Sequence, residues 1–272
     1  MKDFFGGLTR LVLILTAIIA ALYIWARFIE PSKLKVTQLD IKAQSLPASA
    51  HGLKIALFSD THLGFGYDKD DLAKAVGRIN EQEPDVIVFT GDLFDNYSKW
   101  NGKDKDIIAV LSKLDARLGK FAVLGNHDYE SGANRITDDI LTQAGFDVLY
   151  NEAVLLPGYS VSVFGIDDCA YGKGSGSVFT PQPGCYNVVL CHEPDIFDDV
   201  HGADLMLSGH THGGQVRPPF MDPPVLPKRG RKYAEGLYGT SDSQLFVTRG
   251  LGMTIMKLRF CESPEIAVLK LT

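Results

Sequence analysis

KIALFSDTHLGFGYDKDDLAKAVGRINEQEPDVIVFTGD, residues 54–92, is an apolar run, a helix-spaced run and a second apolar run in succession. Lys54–Ser59 and Asp85–Thr90 are short and almost wholly apolar, the signature of strands buried on both faces. Between them, Leu72, Ala75, Val76 and Ile79 recur at helical intervals over Asp70–Glu81. The rhythm continues with a helix around Asp106–Leu114, a third strand at Lys120–Leu124 and a helix over Ile136–Ala144. Such β-α-β-α alternation requires crossover connections and predicts a largely parallel sheet. After Phe146 helical pattern is scarce and short strands follow closely: Asp147–Tyr150, Ala153–Leu156, Ser160–Ile166, Asn187–Cys191, Asp204–Leu207, Gln244–Thr248 and Ile266–Leu271. Two packed sheets with helices outside, an α/β architecture, is the simplest arrangement of these elements. No internal repeat is present.

In α/β sheets ligands bind at the carboxyl ends of strands, and here those ends carry the polar chemistry. Asp60, Thr61 and His62 follow the first run; Gly91 and Asp92 follow the second; Gly125, Asn126, His127 and Asp128 follow the third. His192 follows Asn187–Cys191, and Gly209, His210, Thr211 and His212 follow Asp204–Ser208. His210 and His212 stand one residue apart, so in extended chain both rings project to one side. Neutral imidazole is the commonest metal ligand. Oxygen and nitrogen donors without thiolate suit manganese, iron or zinc, and the histidines argue against magnesium or calcium. Two neighbouring cations repel and call for a bridging anion, for which Asp92 is the natural residue. Two-metal sites clamp the attacking and leaving oxygens of a displacement at phosphorus. Taken singly, each residue has an ordinary reading: Asp60 a turn residue, Asp92 a helix cap, Asn126 and Asp128 loop satisfiers, His192 a core histidine. Their coincidence at five strand ends is what speaks for a site. Cys191 beside His192 points to the opposite strand face and reads as a buried apolar thiol. His51 and His201 match no motif, and Asp167-Asp168 reads as a turn rather than a further carboxylate site.

The series Asp60-Thr61-His62, Gly91-Asp92, Gly125-Asn126-His127-Asp128, His192 and Gly209-His210-Thr211-His212 resembles the calcineurin-like metallophosphoesterases, whose pattern is D-x-H, G-D, G-N-H-[DE], H, G-H-x-H. The resemblance covers residues 53–272 with all five blocks in order. The GHTHGGQ form, the proline-rich segment after it, Tyr233–Tyr238 (YAEGLY) and Arg249–Gly252 (RGLG) are similar to a membrane-associated phosphodiesterase branch. Some members of that branch hydrolyse the pyrophosphate of UDP-diacylglucosamine. The resemblance implies a four-layer α/β/β/α sandwich of two mixed sheets. It further implies two divalent metal ions, manganese foremost with iron or zinc as alternatives. Asp60, His62 and His212 would hold the first; Asn126, His192 and His210 the second; Asp92 would bridge. His127 would contact the phosphate or protonate the leaving oxygen, with Asp128 orienting its imidazole, and a metal-activated hydroxide would be the nucleophile.

The N-terminus adds a membrane. Leu11–Trp25, LVLILTAIIAALYIW, carries no charge, and Arg10 and Arg27 bracket it. Phe4, Phe5, Phe28 and Ile29 lengthen it to a plausible span. Bulky Leu22-Tyr23-Ile24-Trp25 occupies the position where a cleaved leader needs small residues. The expectation is one N-terminal transmembrane helix in residues 1–30, a membrane-proximal segment over 31–52 with one edge strand around Lys35–Ile41, and a catalytic domain over 53–272. The lysines and arginines flanking the span lean toward a cytoplasmic domain, but a bias this small leaves the side open. The formal charge of −6 argues against a nucleic-acid surface. Cys169, Cys185, Cys191 and Cys261 show no C-x-x-C spacing and force no disulfide framework.

The substrate expected is a small or lipid-linked phosphate ester, with no obligate protein partner. Val216–Leu226 (VRPPFMDPPVL) is an apolar loop that either covers an acyl chain or the bilayer, or packs on its own domain. Pro227–Lys232 (PKRGRK) is either a solvated loop or a contact for anionic lipid. A phosphodiesterase or pyrophosphatase is the leading reading. A phosphomonoesterase or phosphoprotein phosphatase would use the same metal core, and a non-catalytic membrane scaffold is the reading from another class.

Overall fold

The computed structural model describes residues 2–130, 132–240 and 242–272. Helix α1 (Lys2–Ile24) continues through a π-turn at Trp25–Ile29 and a 3-10 turn at Glu30–Ser32. The most apolar 18-residue stretch within Phe4–Ser32 has a mean hydropathy of 2.3, and the helix is long and apolar enough to cross a membrane. Its apolar side chains from Phe4 to Ile29 are exposed on the domain's own account, with only Ala26 and Glu30 buried where the helix meets the body.

Strand β1 (Lys35–Ile41) follows, then β2 (Lys54–Phe58), α2 (Lys69–Asn80), β3 (Val86–Phe89), α3 (Asp104–Leu111), β4 (Lys120–Ala122), α4 (Asn126–Glu130), α5 (Asn134–Gln143) and β5 (Asp147–Val148). The second half holds β6 (Glu152–Leu156), β7 (Val161–Gly165), β8 (Tyr186–Leu190), β9 (Leu205–Ser208), β10 (Gly236–Thr240), β11 (Ser243–Val247) and β12 (Glu265–Leu271). One sheet runs β1-β12-β2-β3-β4-β5 and the other β10-β11-β9-β8-β7-β6. Both are mixed: β2, β3, β4 and β5 are parallel and β12 is antiparallel to β2, while β7, β8, β9 and β11 are parallel with antiparallel edges β6 and β10. Helices α2, α3 and α5 lie where their spacing predicts, within two residues at their starts and three at their ends.

The near-continuous apolar strands follow from burial on both faces. In β2, Ala56 and Phe58 pack with Leu72, Val76 and Ile79 of α2, while Ile55 and Leu57 meet Val163, Val188 and Leu207 of the other sheet. Asp68 caps α2 by accepting the N–H groups of Asp70 and Asp71, as short polar side chains do at a helix start. A third cluster (Phe164, Val189, Met206, Leu245) lies on the far side of the second sheet under Phe179 and Ile196. That fourth layer is thin, built from 3-10 turns at Gly176–Val178 and Pro194–Asp199. The hairpin strand β10 escapes sequence reading because GLYGT, with two glycines and no apolar alternation, looks like loop.

Candidate metal centre

Parallel β2, β3 and β4 in one sheet, and β8 and β9 in the other, bring five carboxyl ends to one edge of the sandwich. The chain turns abruptly there. Asp60, His62, Asp92, His210 and His212 all have positive φ, between 43° and 72°. Left-handed backbone at a non-glycine residue costs about 1–3 kcal/mol and clusters at functional sites. The turns fold each side chain back toward a common point. Glycine supplies the remaining clearance: a Cβ on Gly125 would come within 2.3 Å of Asp92 Oδ1, and one on Gly209 within 2.4 Å of Asp60 Oδ2.

Asp60, His62 and His212 form one cluster and Asp92, His192 and His210 another, each with donor atoms within 4.8 Å of one another. Asp92 Oδ2 lies 3.5 Å from His62 Nε2 and 3.2 Å from His192 Nε2, so one carboxylate touches both clusters. His210 N–H donates to the Asp60 carboxylate at 3.0 Å, tying the two sheets together across the site. Asn126 Oδ1 is buried there with no hydrogen-bond partner.

The tautomers are dictated by the backbone. A carbonyl only accepts, so His192 Nδ1 donates to Thr90 O at 2.6 Å and His210 Nε2 donates to Lys228 O at 2.9 Å. Their other nitrogens, His192 Nε2 and His210 Nδ1, then face each other at 3.1 Å, with Asp92 Oδ2 3.2 Å from the former. Two lone pairs at that distance would repel, so the contact holds either a proton on His192 Nε2 or a metal ion in its place. A ring held by a carbonyl on one nitrogen and offering the other is the usual arrangement of a metal-bound histidine. With the orphaned Asn126 oxygen and the Asp92 carboxylate, this donor set fits a divalent metal.

The electrostatics agree. Burial works to raise the Asp92 carboxyl, but His192, His127 and His62 outweigh it and hold it well below the usual carboxylate range. Burial would lower His192, yet Asp92 and Asp60 raise it well above an ordinary imidazole. Burial and the charge of His192 push His210 down to about 3. The two facing rings shift in opposite directions: the proton between them belongs to His192 and is accepted by His210, in the place a metal ion would take.

His127 stands at the mouth. Its N–H donates to Asp92 Oδ1 at 2.9 Å, and its ring Nδ1 donates to the Asp95 carbonyl at 2.7 Å. The expected contact between Asp128 and this imidazole is therefore corrected: the Asp95 carbonyl orients the ring. Asp128 instead accepts the N–H groups of Asp92 (2.9 Å), Leu93 (3.1 Å) and Gly125 (2.9 Å), and so fixes the two loops that carry Asp92 and Asn126. Burial and the neighbouring Asp92 raise the Asp128 carboxyl to about 6.

These features decide the family. A model of the calcineurin-like phosphoesterases matches residues 53–214. The chain belongs to the calcineurin-like phosphoesterases. An uncharacterized metallophosphoesterase of Bacillus subtilis, YkuE, is 37% identical over 92% of this chain and 89% of its own. The phosphodiesterase YaeI of Escherichia coli is 32% identical over 82% of this chain and 83% of its own. The UDP-2,3-diacylglucosamine pyrophosphatase LpxG of Chlamydia muridarum is 29% identical over 94% of this chain and 95% of its own. This calcineurin-like phosphoesterase is a phosphoric ester hydrolase.

Other expectations resolve simply. His51 and His201 are exposed and remote from the cluster. Asp168 Oδ1 accepts from the N–H groups of Ala170 and Gly172, making the Asp167-Asp168 pair a turn. Cys191 is buried with its sulfur 3.9 Å from that of Cys169, and all four cysteines are free thiols. Cys169, Cys191 and Glu193 form a further donor group behind His192. Sequence reading misses Arg259. It is fully buried, donates to the carbonyls of Gly252, Arg249 and Glu262, and comes within 3.3 Å of His212 Nδ1. Nothing in MKLRF marks this arginine as internal; tertiary packing alone makes it so.

Proposed function

We propose that this protein is a membrane-anchored, two-metal phosphoesterase that hydrolyses a phosphodiester or pyrophosphate bond. Asp92, in contact with a histidine of each cluster, carries this reading. Asp60, His62 and His212 would hold one divalent ion, Asn126, His192 and His210 the other, and Asp92 both; manganese is favoured, with iron or zinc as alternatives. Such ions supply Lewis acidity toward a phosphoryl oxygen and lower the pKa of water. The chain does the rest. His127, with Nδ1–H held by Asp95, carries its titrating proton on Nε2 and delivers it to the leaving oxygen. Its pKa is raised: burial lowers it, but Asp92 and the Asp95 carbonyl more than compensate. Asp128 holds the backbone of Asp92 and Gly125 in place.

Residues 1–30 form the anchor, 31–52 the membrane-proximal segment and 53–272 the catalytic unit. The exposed apolar helix supports the anchor. The names of the Escherichia coli and Chlamydia muridarum relatives, a phosphodiesterase and a pyrophosphatase, support two-sided phosphate bonds over monoesters. The test is hydrolysis of bis(p-nitrophenyl) phosphate against p-nitrophenyl phosphate, with manganese or EDTA, beside Asp92→Asn. Asparagine tolerates left-handed backbone, so the variant folds, and it loses more than about a hundredfold in kcat/KM. Monoester preference would redirect the assignment to a phosphatase.

A further inference from the structure

The side chain that follows the histidine pair does structural work of its own. Gln215 donates to the carbonyls of Thr254 (3.0 Å) and Met256 (2.7 Å) and accepts Thr254 N–H at 2.8 Å. It thereby clamps the 254–256 turn opposite the 216–227 loop. Between them runs a groove of about 250 Å³ that begins at His210 and His212 and is walled by Val216, Val225, Leu226, Ile255 and Met256. Its apolar wall faces solvent: Val225 and Ile255 are more than half exposed, and so is Met221 beside the fully exposed Phe220 farther along the same loop. Ile255 has φ 60°, a genuine outlier for a β-branched residue, and its side chain gains no burial in return. Contiguous exposed apolar surface of this kind marks a binding site.

The groove is continuous with the anchor. Arg259 N–H donates to Ala26 O at 2.9 Å, Phe260 N–H to Gln215 O and Arg217 N–H to Phe260 O, both at 2.9 Å. The end of the apolar helix, the 254–260 segment and the groove loop are thus one hydrogen-bonded face. On the same loop Lys232 pairs with Asp198, whereas Lys228, Arg229 and Arg231 enter no ion pair among the described residues. An apolar rim beside unpaired cations is the composition that suits an anionic bilayer surface.

We propose that this groove is an acyl-chain subsite: it takes one hydrocarbon chain of an anionic membrane lipid whose phosphate lies at the metal centre. The inference rests on the hydrolytic reading for its phosphate and on the fold alone for its chain. The test uses the full chain in phosphatidylcholine nanodiscs with p-nitrophenyl butyl phosphate and p-nitrophenyl dodecyl phosphate. The dodecyl diester has a kcat/KM at least about tenfold higher, because the added methylenes leave water. In Val225→Asp/Ile255→Asp the ratio, read within the variant, collapses toward unity. A second readout needs no turnover: dodecyl phosphate, but not butyl phosphate, slows amide exchange at 254–256. Equal cleavage of both diesters without protection overturns the groove and leaves the hydrolase standing. Protection by dodecyl phosphate without cleavage of either diester upholds the groove and removes the hydrolytic reading.

Discussion

His192 Nε2 and His210 Nδ1 approach to 3.1 Å while each ring gives its other N–H to a backbone carbonyl. Neither ring can turn to relieve the contact without abandoning that carbonyl. A divalent cation that displaces the proton between them gains both nitrogens as donors, so binding is expected to stabilise the folded state. At a hundredfold excess over Kd the gain is about 2.7 kcal/mol. Calorimetric scans with manganese and with EDTA should differ by several degrees, and His210→Ala should shrink the difference. Coincident scans would remove the metal centre.

His127 is expected to matter in proportion to the basicity of the leaving group. p-Nitrophenolate departs without a proton, whereas an alkoxide does not. His127→Gln should lower kcat on an alkyl phosphodiester by about 10²-fold or more and affect bis(p-nitrophenyl) phosphate much less. Equal losses on both would make His127 a phosphate-binding group rather than an acid.

Asp128→Asn tests the loops behind the ligands. The carboxylate accepts three backbone N–H groups, and an amide placed there must turn its own N–H₂ toward at least one of them. The unmet donor costs about 1–3 kcal/mol of stability. Activity should fall by about 10–100-fold, the usual effect of losing a partner that positions a ligand. Unchanged manganese affinity and rate would show that Asp92 holds its place without it.

How much of this was legible is itself physical. The donor residues of the candidate site follow apolar runs, so strand ends and polar chemistry coincide in the sequence; that is why Asp60, Asp92 and His192 can be found from sequence. The tautomers cannot, because the Thr90 and Lys228 carbonyls reach the rings from distant segments. The ring partner of His127 is misassigned for the same reason: Asp128 is adjacent in sequence, Asp95 only in space. Arg259 and the Gln215 clamp depend wholly on how the last third of the chain packs against the site. Strand β10 is hidden by its glycines.

Glu262, whose carboxylate lies 2.7 Å from where a Cβ on Gly213 would stand, supplies a pH signature beside His212. Burial and the neighbouring Glu235 raise its carboxyl to about 8, despite Arg249 and Arg217. The unfolded chain releases this proton near the ordinary glutamate value of 4.5 and the native chain near 8. Between those values the native state binds more protons, so this group's contribution to stability falls as pH rises and is constant above the window. Glu262→Gln, which cannot titrate, should flatten the decline in melting temperature from pH 5 to pH 8. An unaltered slope would place the titration elsewhere.

The order of strands sets the order of events at synthesis. β12, the last strand of the chain, lies between β1 and β2, the first two of the body. Until the residues of β12 have been made, β1 has no strand partner and β2 lacks one on that side, although the apolar helix before them has long since emerged. The nascent chain therefore waits with an open sheet, and β12 closes it. Deleting Glu265–Leu271 would leave β1 unpaired and β2 with an exposed edge, a defect that recruits other chains rather than merely loosening this one.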